Sequence, residues 1–286
     1  MPLRPNAYTM AKKGIARFDW RDPYHVLITL GWPSFFLTFI LTDLAINVLF
    51  AGFYLLQPGD IANAKPGSFA DAFFFSMETL ATVGYGLMAP VTTYGHVVSV
   101  IEILVGLCFT AIATGLTFVR FSKAKAKIMN AQKAVVARHH GHPTLMIRIA
   151  NGRNSMLTDV RARLAVLLSE ITPEGVFFRR IHDLPLQRDW LPIFGLTWTL
   201  MHRIDESSPL HGMDHGAMVA GDVRFFLNVD GQDYPLSARV QDTWGYPASE
   251  IVFGMRYADA VSQDAARRTT ADLTRLSLLE PEDDSA

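Results

Sequence analysis

Two long apolar runs stand out in the first 122 residues of the chain. They extend from about Trp32 to Leu56 and from Val97 to Phe121, and only Glu102 and Arg120 interrupt the second. A helix needs about 20 apolar residues to cross a hydrocarbon core ~30 Å thick. Each run therefore predicts a transmembrane helix.

A shorter apolar segment, Phe69–Leu80, lies between these runs. Its length of about twelve residues favours a re-entrant helix over a complete crossing. Ser68, with Asp71 three positions later, is typical of a helix start with an acid at the positive end. We expect this helix to enter the membrane halfway and to direct its negative C-terminal end toward the membrane centre.

Polar positions refine the picture of the membrane half. Asp43 and Asn47 lie one helical turn apart in the first run and so share a face, which favours a packing or hydrogen-bonding role; an ion-pathway role is the alternative. Asp22-Pro23 is a typical N-cap and first-turn pair, and it opens a short segment with one apolar side. We interpret that segment as a helix lying in the cytoplasmic interface, with an ordinary linker as the alternative.

From about Thr144 to Tyr257 the hydrophobic period changes to two, which predicts β-strands. The turn signals Asn151-Gly152, Pro173-Glu174-Gly175 and Asp230-Gly231 separate the apolar runs, and this spacing favours an antiparallel, immunoglobulin-like β-sandwich. The predicted strands are Leu145–Ala150, Val160–Leu168, Val176–Ile181, Phe194–Ile204, Val223–Val229 and Ile251–Tyr257. The predicted domain plan is a cytoplasmic N-terminus with the interfacial helix (1–31), an α-helical transmembrane pore domain (32–122), a linker (123–143), the all-β sandwich (144–258) and a polar tail that is mobile or only partly ordered (259–286).

Composition and charge exclude several classes of function. The net charge is −1, so no general basic field indicates nucleic-acid binding, and a single cysteine rules out a disulfide within the chain. Neither the histidines at 139, 140 and 142 nor the group His202, Asp205 and Glu206 has the spacing of a metal or nucleophile motif. We therefore expect neither an enzyme nor an organic cofactor.

The sequence Thr82-Val83-Gly84-Tyr85-Gly86 lies between the short apolar segment and the second long run. It is the filter sequence of potassium channels, in which rings of backbone carbonyls replace the hydration shell of K⁺. Gly84 and Gly86 permit backbone angles that align successive carbonyls, and the hydroxyl of Thr82 can add the innermost ligand. One chain supplies one strand of such a filter, so a working pore needs four copies.

The second long run carries a stripe of residues four apart: Gly106, Thr110, Thr114 and Phe118. If the stripe faces the pore axis, the threonines line a wet cavity and Phe118 forms an aromatic ring that closes the path by dewetting. Gly106 is then a candidate bend point. The alternative is that Gly106 and Gly115 allow close helix packing, which we favour for Gly115; both interpretations can hold together.

Basic residues predict the orientation in the membrane. Five precede the first run, only Lys65 lies between the runs, and Arg120, Lys123, Lys125 and Lys127 follow the second. The positive-inside rule then predicts a multi-pass protein of the cell (inner) membrane, with both termini in the cytoplasm and the filter outside.

Beyond these features, the chain resembles the inward-rectifier potassium channels, and most closely their prokaryotic branch, KirBac. Phe75-Ser76-Met77-Glu78-Thr79 resembles the family's pore-helix pattern, and Ile204-Asp205-Glu206-Ser207-Ser208-Pro209-Leu210 resembles its cytoplasmic IDE-S-SPL stretch. The resemblance covers nearly the whole chain. It implies a homotetramer that conducts K⁺ and is gated by its cytoplasmic domain and by anionic, phosphoinositide-type headgroups.

The resemblance also assigns roles by position. Glu78 braces the filter from behind, and Phe118 is the bundle-crossing constriction. Thr110 occupies the site where strong rectifiers place an acid, so steep rectification is not expected; Leu87 follows the filter where many potassium channels have Asp. The predicted lipid-contact residues are Lys12, Lys13, Arg17, Arg120, Lys123 and Lys125, for which plain positive-inside topology is the alternative explanation.

Two further classes of function compete with a channel. A potassium transporter subunit with filter-like loops usually carries four pore repeats in one chain, and this chain has one, so we set that class aside. A poorly conducting membrane sensor, whose β-domain binds the ligand, stays open as the alternative.

Overall fold

The structure is a computed structural model that describes residues 22–263, 267 and 269–282. The chain divides into two compact units at the boundary between Lys123 and Ala124. The unit before this boundary is helical and the unit after it is almost entirely β.

The helical unit contains two helices that are long and apolar enough to cross a membrane. Its elements are α1 (Pro23–Thr29), α2 (Trp32–Leu55), β1 (Ile61–Ala62), α3 (Phe69–Leu80), β2 (Ala89–Pro90) and α4 (Thr93–Phe121). The two spans, the interfacial helix and the re-entrant helix therefore occupy the predicted places along the chain.

Side-chain caps fix where these helices begin. The Asp22 carboxylate accepts a hydrogen bond from the backbone N–H of His25 at 3.0 Å, and the Ser68 hydroxyl accepts one from the backbone N–H of Asp71 at 3.3 Å. Thr92 caps α4 in the same way and also donates to Asp60 at 2.6 Å. Each cap satisfies an otherwise unpaired N–H group, as the sequence predicted for α1 and α3.

The β unit is built from strands of very different length. They are β3 (Ile128–Asn130), β4 (Ala134–His139), β5 (His142–Asn151), β6 (Leu157–Ile171), β7 (Phe177–Leu184), β8 (Trp190–Phe194), β9 (Thr197–Arg203), β10 (Arg224–Asp233), β11 (Ala238–Pro247), β12 (Ile251–Phe253), β13 (Met255–Tyr257), β14 (Val261–Gln263), β15 (Thr269–Ala271) and β16 (Leu279–Pro281). A short helix, α5 (His215–Ala220), precedes β10.

Two five-stranded sheets form the body of this unit. One has the order β11-β10-β6-β7 with β8 also on β6, and the other has the order β12-β4-β5-β3 with β9 also on β5. All of these pairs are antiparallel except β12 with β4. A single hydrophobic core receives buried side chains from both sheets, including Ile147, Val166 and Phe225. The predicted all-β sandwich is confirmed.

The sandwich begins earlier than predicted. The segment 123–143 was expected to be a linker, but it contains β3, β4 and the start of β5. Four consecutive residues of β4, Ala134 to Ala137, are buried, so the strand does not alternate between apolar and polar positions. A strand covered on both faces lacks the period-two pattern on which the prediction relied.

The polar tail, which was predicted to be mobile or only partly ordered, contains paired strands among its described residues. Within it, β14 pairs with β15, and β16 pairs with β13, placing Leu279 opposite Tyr257. Leu276 is buried in a second core cluster with Val135 and Tyr257. Leu276, with Leu273 and Leu279, therefore packs the described part of this segment against the sandwich.

The predicted turn at Asp230-Gly231 is wrong, because both residues lie inside β10. The pairing with β6 shifts register between Asp230 and Gln232, which marks a β-bulge. A β-carbon on Gly231 would lie 2.9 Å from Val160 Cγ2. The glycine permits the close approach of two strands rather than a reversal of the chain.

Candidate functional site

The segment Thr82–Gly86 is hydrogen-bonded to the last turn of α3. The carbonyl oxygen of Glu78 accepts from the backbone N–H of Val83 at 2.8 Å and from that of Gly84 at 3.4 Å. The N–H of Thr82 donates to the carbonyl of Thr79 at 3.0 Å. The position of this turn therefore sets the position of the first part of the segment.

The backbone of this segment alternates in handedness. Thr82, Gly84 and Gly86 have positive φ angles of 54°, 54° and 82°, whereas Val83 and Tyr85 do not have positive φ. A positive φ is strained for threonine, so the surrounding contacts must hold Thr82 in place. The sign of φ therefore alternates along the segment, and such alternation can turn successive carbonyls toward one side of a strand. A potassium filter needs carbonyls on one side to replace the hydration shell of the ion.

Side chains next to the carbonyls lie on an uncovered surface of the single chain. The exposed fractions are 50% for Val83, 78% for Tyr85 and 71% for Leu87. Glu78 and His96 line a cavity of about 480 Å³, which Thr82, Gly84 and Gly86 of the segment also line. The bracing contact that the structure gives to Glu78 is thus made by its backbone carbonyl.

A cluster of polar side chains lies behind α3. Glu102 of α4 is fully buried and accepts a hydrogen bond from the Tyr54 hydroxyl at 2.7 Å. The carboxyl group of Glu102 also contacts the Ser76 hydroxyl, which donates to Asn47 Oδ1 at 3.0 Å. Asn47 in turn donates to the backbone carbonyl of Asp43 at 2.9 Å and to its carboxylate at 3.3 Å. The hydrogen-bonding interpretation of Asp43 and Asn47 agrees with this geometry.

One turn further along α4, Gly106 packs against the end of α3. A β-carbon on Gly106 would lie 2.3 Å from the carbonyl oxygen of Leu80, which is closer than any real side chain allows. At Gly115, the β-carbon position has no neighbouring atom of this chain within 4 Å. Within the single chain, Gly106 therefore allows close helix packing, and the β-carbon position of Gly115 does not contact another helix.

Comparison with known families matches both units. The family model of the inward rectifier potassium channel C-terminal domain matches residues 128–281, and an ion channel model matches residues 36–123. The inward rectifier potassium channel Kirbac3.1 of Paramagnetospirillum magnetotacticum is 36% identical over 265 residues, which cover 92% of this chain and 90% of the relative. This chain belongs to the inward rectifier potassium channel family.

Mammalian inward rectifiers are more distant relatives. The mouse ATP-sensitive inward rectifier potassium channel 10 is 30% identical over 77% of this chain and 62% of its own length. The human ATP-sensitive inward rectifier potassium channel 11 is 26% identical over 86% of this chain and 69% of its own length. These relatives carry the names of ion channels, and the chain is accordingly a membrane protein of the potassium channel class.

In this inward rectifier, three of the four stripe residues share an exposed face of α4. Thr110, Thr114 and Phe118 are exposed on the single chain, and the exposed fraction of Phe118 is 71%. Gly106 differs, because it is buried beneath Leu80. Gly106 therefore does not have the exposed position that a pore-lining residue needs, whereas Thr110, Thr114 and Phe118 do.

Arg120 does not point freely toward lipid headgroups. Its guanidinium donates to the carbonyl oxygens of Leu27 at 2.6 Å and Leu30 at 2.7 Å, at the C-terminal end of α1. It also lies over the rings of Trp32 and Phe35, 4.6 and 4.3 Å from their centroids. These contacts direct two of the donors of Arg120 at the protein, so the structure accounts for Arg120 without a lipid contact. Its lipid role stays a prediction.

Two of the other predicted lipid-contact residues lie on the surface just after α4. Lys123 and Lys125 are exposed. Lys12, Lys13 and Arg17 lie outside the described residues. The Arg120 latch, which we define as Arg120 with Leu27, Leu30, Trp32 and Phe35, was not predicted, since only the three-dimensional proximity of α1 and α4 creates it.

Proposed function

We propose that this chain forms a potassium-selective channel that conducts K⁺ passively through a filter made by Thr82, Val83, Gly84, Tyr85 and Gly86. The backbone carbonyls of Thr82 to Tyr85 and the Thr82 hydroxyl are the K⁺ ligands in this proposal. The observation that carries it is the alternating backbone of the segment, hydrogen-bonded to the Glu78 carbonyl. K⁺ is the permeant ion and no organic cofactor takes part.

The channel in this proposal is a homotetramer, since one chain supplies a single filter strand. The uncovered apolar side chains next to the filter support it, because Val83, Tyr85 and Leu87 would otherwise remain in contact with water or lipid. Four copies arranged around an axis bring four filter strands together and create rings of carbonyl oxygens.

The gate in this proposal lies at the cytoplasmic end of α4. Thr110 and Thr114 line a water-filled cavity, and four copies of Phe118 form a ring that closes by dewetting. The exposure of all three side chains on one face of α4 supports this arrangement. Because Thr110 is not an acid, polyamines and Mg²⁺ find no carboxylate at that position, and rectification is shallow.

Anionic lipid contacts in this proposal are made by Lys123 and Lys125, and by the N-terminal residues Lys12, Lys13 and Arg17. The distribution of basic residues supports a topology in which both termini lie in the cytoplasm. Anionic headgroups of the phosphoinositide type then meet the exposed lysines that follow α4. Binding there biases the Phe118 gate.

A poorly conducting sensor remains the alternative function. The β unit contains a cavity of about 920 Å³ whose lining includes the charged residues Arg203, Asp205, Glu206 and Asp214. A sensor would bind a charged ligand in such a cavity without ion flux.

Ion uptake into liposomes containing the purified full chain tests the channel against the sensor. We expect uptake driven by a K⁺ gradient that barium blocks and that Na⁺ does not support, with a rate that depends on phosphoinositide. Cross-linking of the same sample should give a tetramer. A well-assembled tetramer that shows no uptake with or without anionic lipid would contradict the channel and favour the sensor.

A further inference from the structure

Five polar side chains lie together inside the apolar helical unit: Asn47, Tyr54, Ser76, Ser99 and Glu102. All five are buried, and the exposed fraction of Glu102 and of Ser76 is 0%. Polar groups at such a depth are unfavourable unless they are hydrogen-bonded to one another, and an ionisable residue within a transmembrane helix indicates a functional role. We call this set the Glu102 cluster.

The Glu102 cluster connects three helices. Asn47 and Tyr54 come from α2, Ser76 from α3, and Ser99 and Glu102 from α4. The carboxyl group of Glu102 is the common point, because its two oxygens contact the hydroxyls of Ser76 and Tyr54 separately. A carboxyl group therefore joins the re-entrant helix to both long helices.

Hydrogen counting favours a neutral Glu102. The five contacts run from Asn47 Oδ1 to Ser76, from Ser76 to Glu102, from Glu102 to Tyr54, from Tyr54 to Ser99, and from Ser99 to the Gly95 carbonyl. The hydroxyls of Tyr54, Ser76 and Ser99 each have one hydrogen to donate, so they can form only three of these five hydrogen bonds. A proton on the Glu102 carboxyl group supplies the hydrogen for a fourth hydrogen bond. Glu102 then donates to the Ser76 hydroxyl, and Ser76 donates to Asn47 Oδ1.

The Glu102 cluster contacts the C-terminal half of α3, to which the filter segment is hydrogen-bonded. Ser76 lies two residues before Glu78, whose carbonyl holds Val83 and Gly84. One turn after Ser76, Leu80 packs against Gly106, which lies one turn after Glu102. Two contacts with the same four-residue spacing on both helices thus fix the height and rotation of α3 against α4.

We propose that Glu102 is a positioning residue for ion selectivity: as a neutral acid it fixes α3 through Ser76, and α3 in turn fixes the filter carbonyls. The proposal rests on the proposed function, since it presumes that the segment Thr82–Gly86 is the filter. Loss of the carboxyl group frees α3 to rotate or shift, and the carbonyl ring then coordinates ions of different size less selectively.

The test compares Glu102→Gln with Glu102→Leu in the full-length channel. We measure the K⁺/Na⁺ permeability ratio in planar bilayers and, on the same preparations, the fraction of tetramer. Glutamine is neutral and can donate to Ser76, so the ratio should stay close to that of the wild type. Leucine has no polar group, so the ratio should fall by about tenfold or more while the tetramer persists.

Further variants make the result specific. Thr42→Val is the matched control, because the Thr42 hydroxyl donates only to the Thr38 carbonyl of its own helix, and the ratio should not change. Should Glu102→Leu fail to assemble, Ser76→Ala and Tyr54→Phe each remove one partner of the carboxyl group and should lower the ratio to a smaller extent.

Three outcomes would overturn the proposal. Wild-type selectivity in an assembled Glu102→Leu channel would show that Glu102 does not position the filter, as would unchanged selectivity in both Ser76→Ala and Tyr54→Phe. Equal loss in Glu102→Gln and Glu102→Leu would contradict the neutral acid. Failure of the underlying function is distinguishable, because the wild-type protein would then itself show no K⁺ selectivity.

Discussion

The guanidinium of Arg120 lies over the indole ring of Trp32, 4.6 Å from its centroid, while its two terminal nitrogens donate to carbonyls at the end of α1. Arg120 comes two residues after Phe118, the proposed gate. Helix α1, the start of α2 and the end of α4 that carries Phe118 therefore meet at one cation. A movement of α1 must move Arg120 or break these contacts.

Substitution Arg120→Gln should destabilise the protein and alter gating. The substitution removes two charge-assisted hydrogen bonds and two cation–π contacts. We therefore expect the free energy of unfolding to fall by about 2 kcal/mol per protomer. Thermal unfolding in detergent measures the loss, and K⁺ flux measures the change in gating. Arg120→Lys keeps the charge but not the paired donors and should recover only part of the stability.

Lipid composition separates the Arg120 latch from a headgroup site. The effect of Arg120→Gln on flux should be the same in neutral liposomes and in liposomes with anionic lipid. An effect that appears only with anionic lipid would support the predicted lipid-contact role of Arg120. Lys123→Gln should show the lipid-dependent behaviour instead.

Gly106→Ala should disturb the filter, because the new methyl group would overlap the Leu80 carbonyl oxygen. Overpacking of this kind costs about 1–3 kcal/mol, and here α3 must shift to relieve it. We expect less tetramer and a lower K⁺/Na⁺ permeability ratio in the tetramer that forms. Gly115→Ala is the control in the same helix, since its β-carbon position is open within the chain. Equal effects of the two substitutions would contradict the packing assigned to Gly106.

An acid at the outer mouth should increase conductance at low salt. Leu87 follows the filter and is 71% exposed in the single chain. Four carboxylates from Leu87→Asp would raise the local concentration of K⁺, and the effect should fade as the Debye length shortens from ~30 Å at 0.01 M salt to ~3 Å at 1 M. Single-channel conductance over this range of KCl is the measurement. An increase that does not depend on salt would indicate a structural cause.

Asp242 of β11 should make the stability of the β unit depend on pH. Burial raises the pKa of the Asp242 carboxyl above its ordinary value, against the opposing hydrogen bond from the Thr243 backbone N–H at 3.0 Å. The folded state then binds the proton more tightly than the unfolded chain does. The ionised form therefore opposes folding above the raised pKa, and this penalty disappears as the pH falls through the raised pKa toward the ordinary value of about 4.

Asp242→Asn removes this ionisation. The variant should unfold at a higher temperature than the wild type at neutral pH, and the difference should narrow as the pH is lowered from about 7 to about 4. Calorimetry of both proteins over this range is the measurement. A constant difference at every pH would mean that the substitution acts through packing and not through the charge.

Local signals predicted the helical unit well. The bounds of α3 and its Ser68 cap follow from a short apolar run and a cap pattern, both of which are properties of neighbouring residues. The Glu102 cluster and the Arg120 latch were not predicted as units. Each joins residues that lie 26 or more positions apart along the chain, such as Ser76 and Glu102. No periodicity in the sequence indicates that such residues are close in space.

The β unit shows the same limit. Alternating strands such as β6 and β10 were found, whereas the fully covered β4 was assigned to a linker. Asp230-Gly231 has the composition of a turn, but the side chain of Val160 on the neighbouring strand is the reason for the glycine. Tertiary contacts decide such positions, and a local pattern cannot report them.

The reversal potential of the wild-type, full-length channel in planar bilayers, with KCl on one side and NaCl on the other, tests the central claim most directly. We expect a large shift in the direction set by K⁺ permeation, block by barium, and loss of the shift in Tyr85→Ala or Gly84→Asp channels whose β unit remains folded. A reversal potential near zero with sizeable current in the wild type, or selectivity that survives both substitutions, would contradict the assignment of Thr82–Gly86 as the filter.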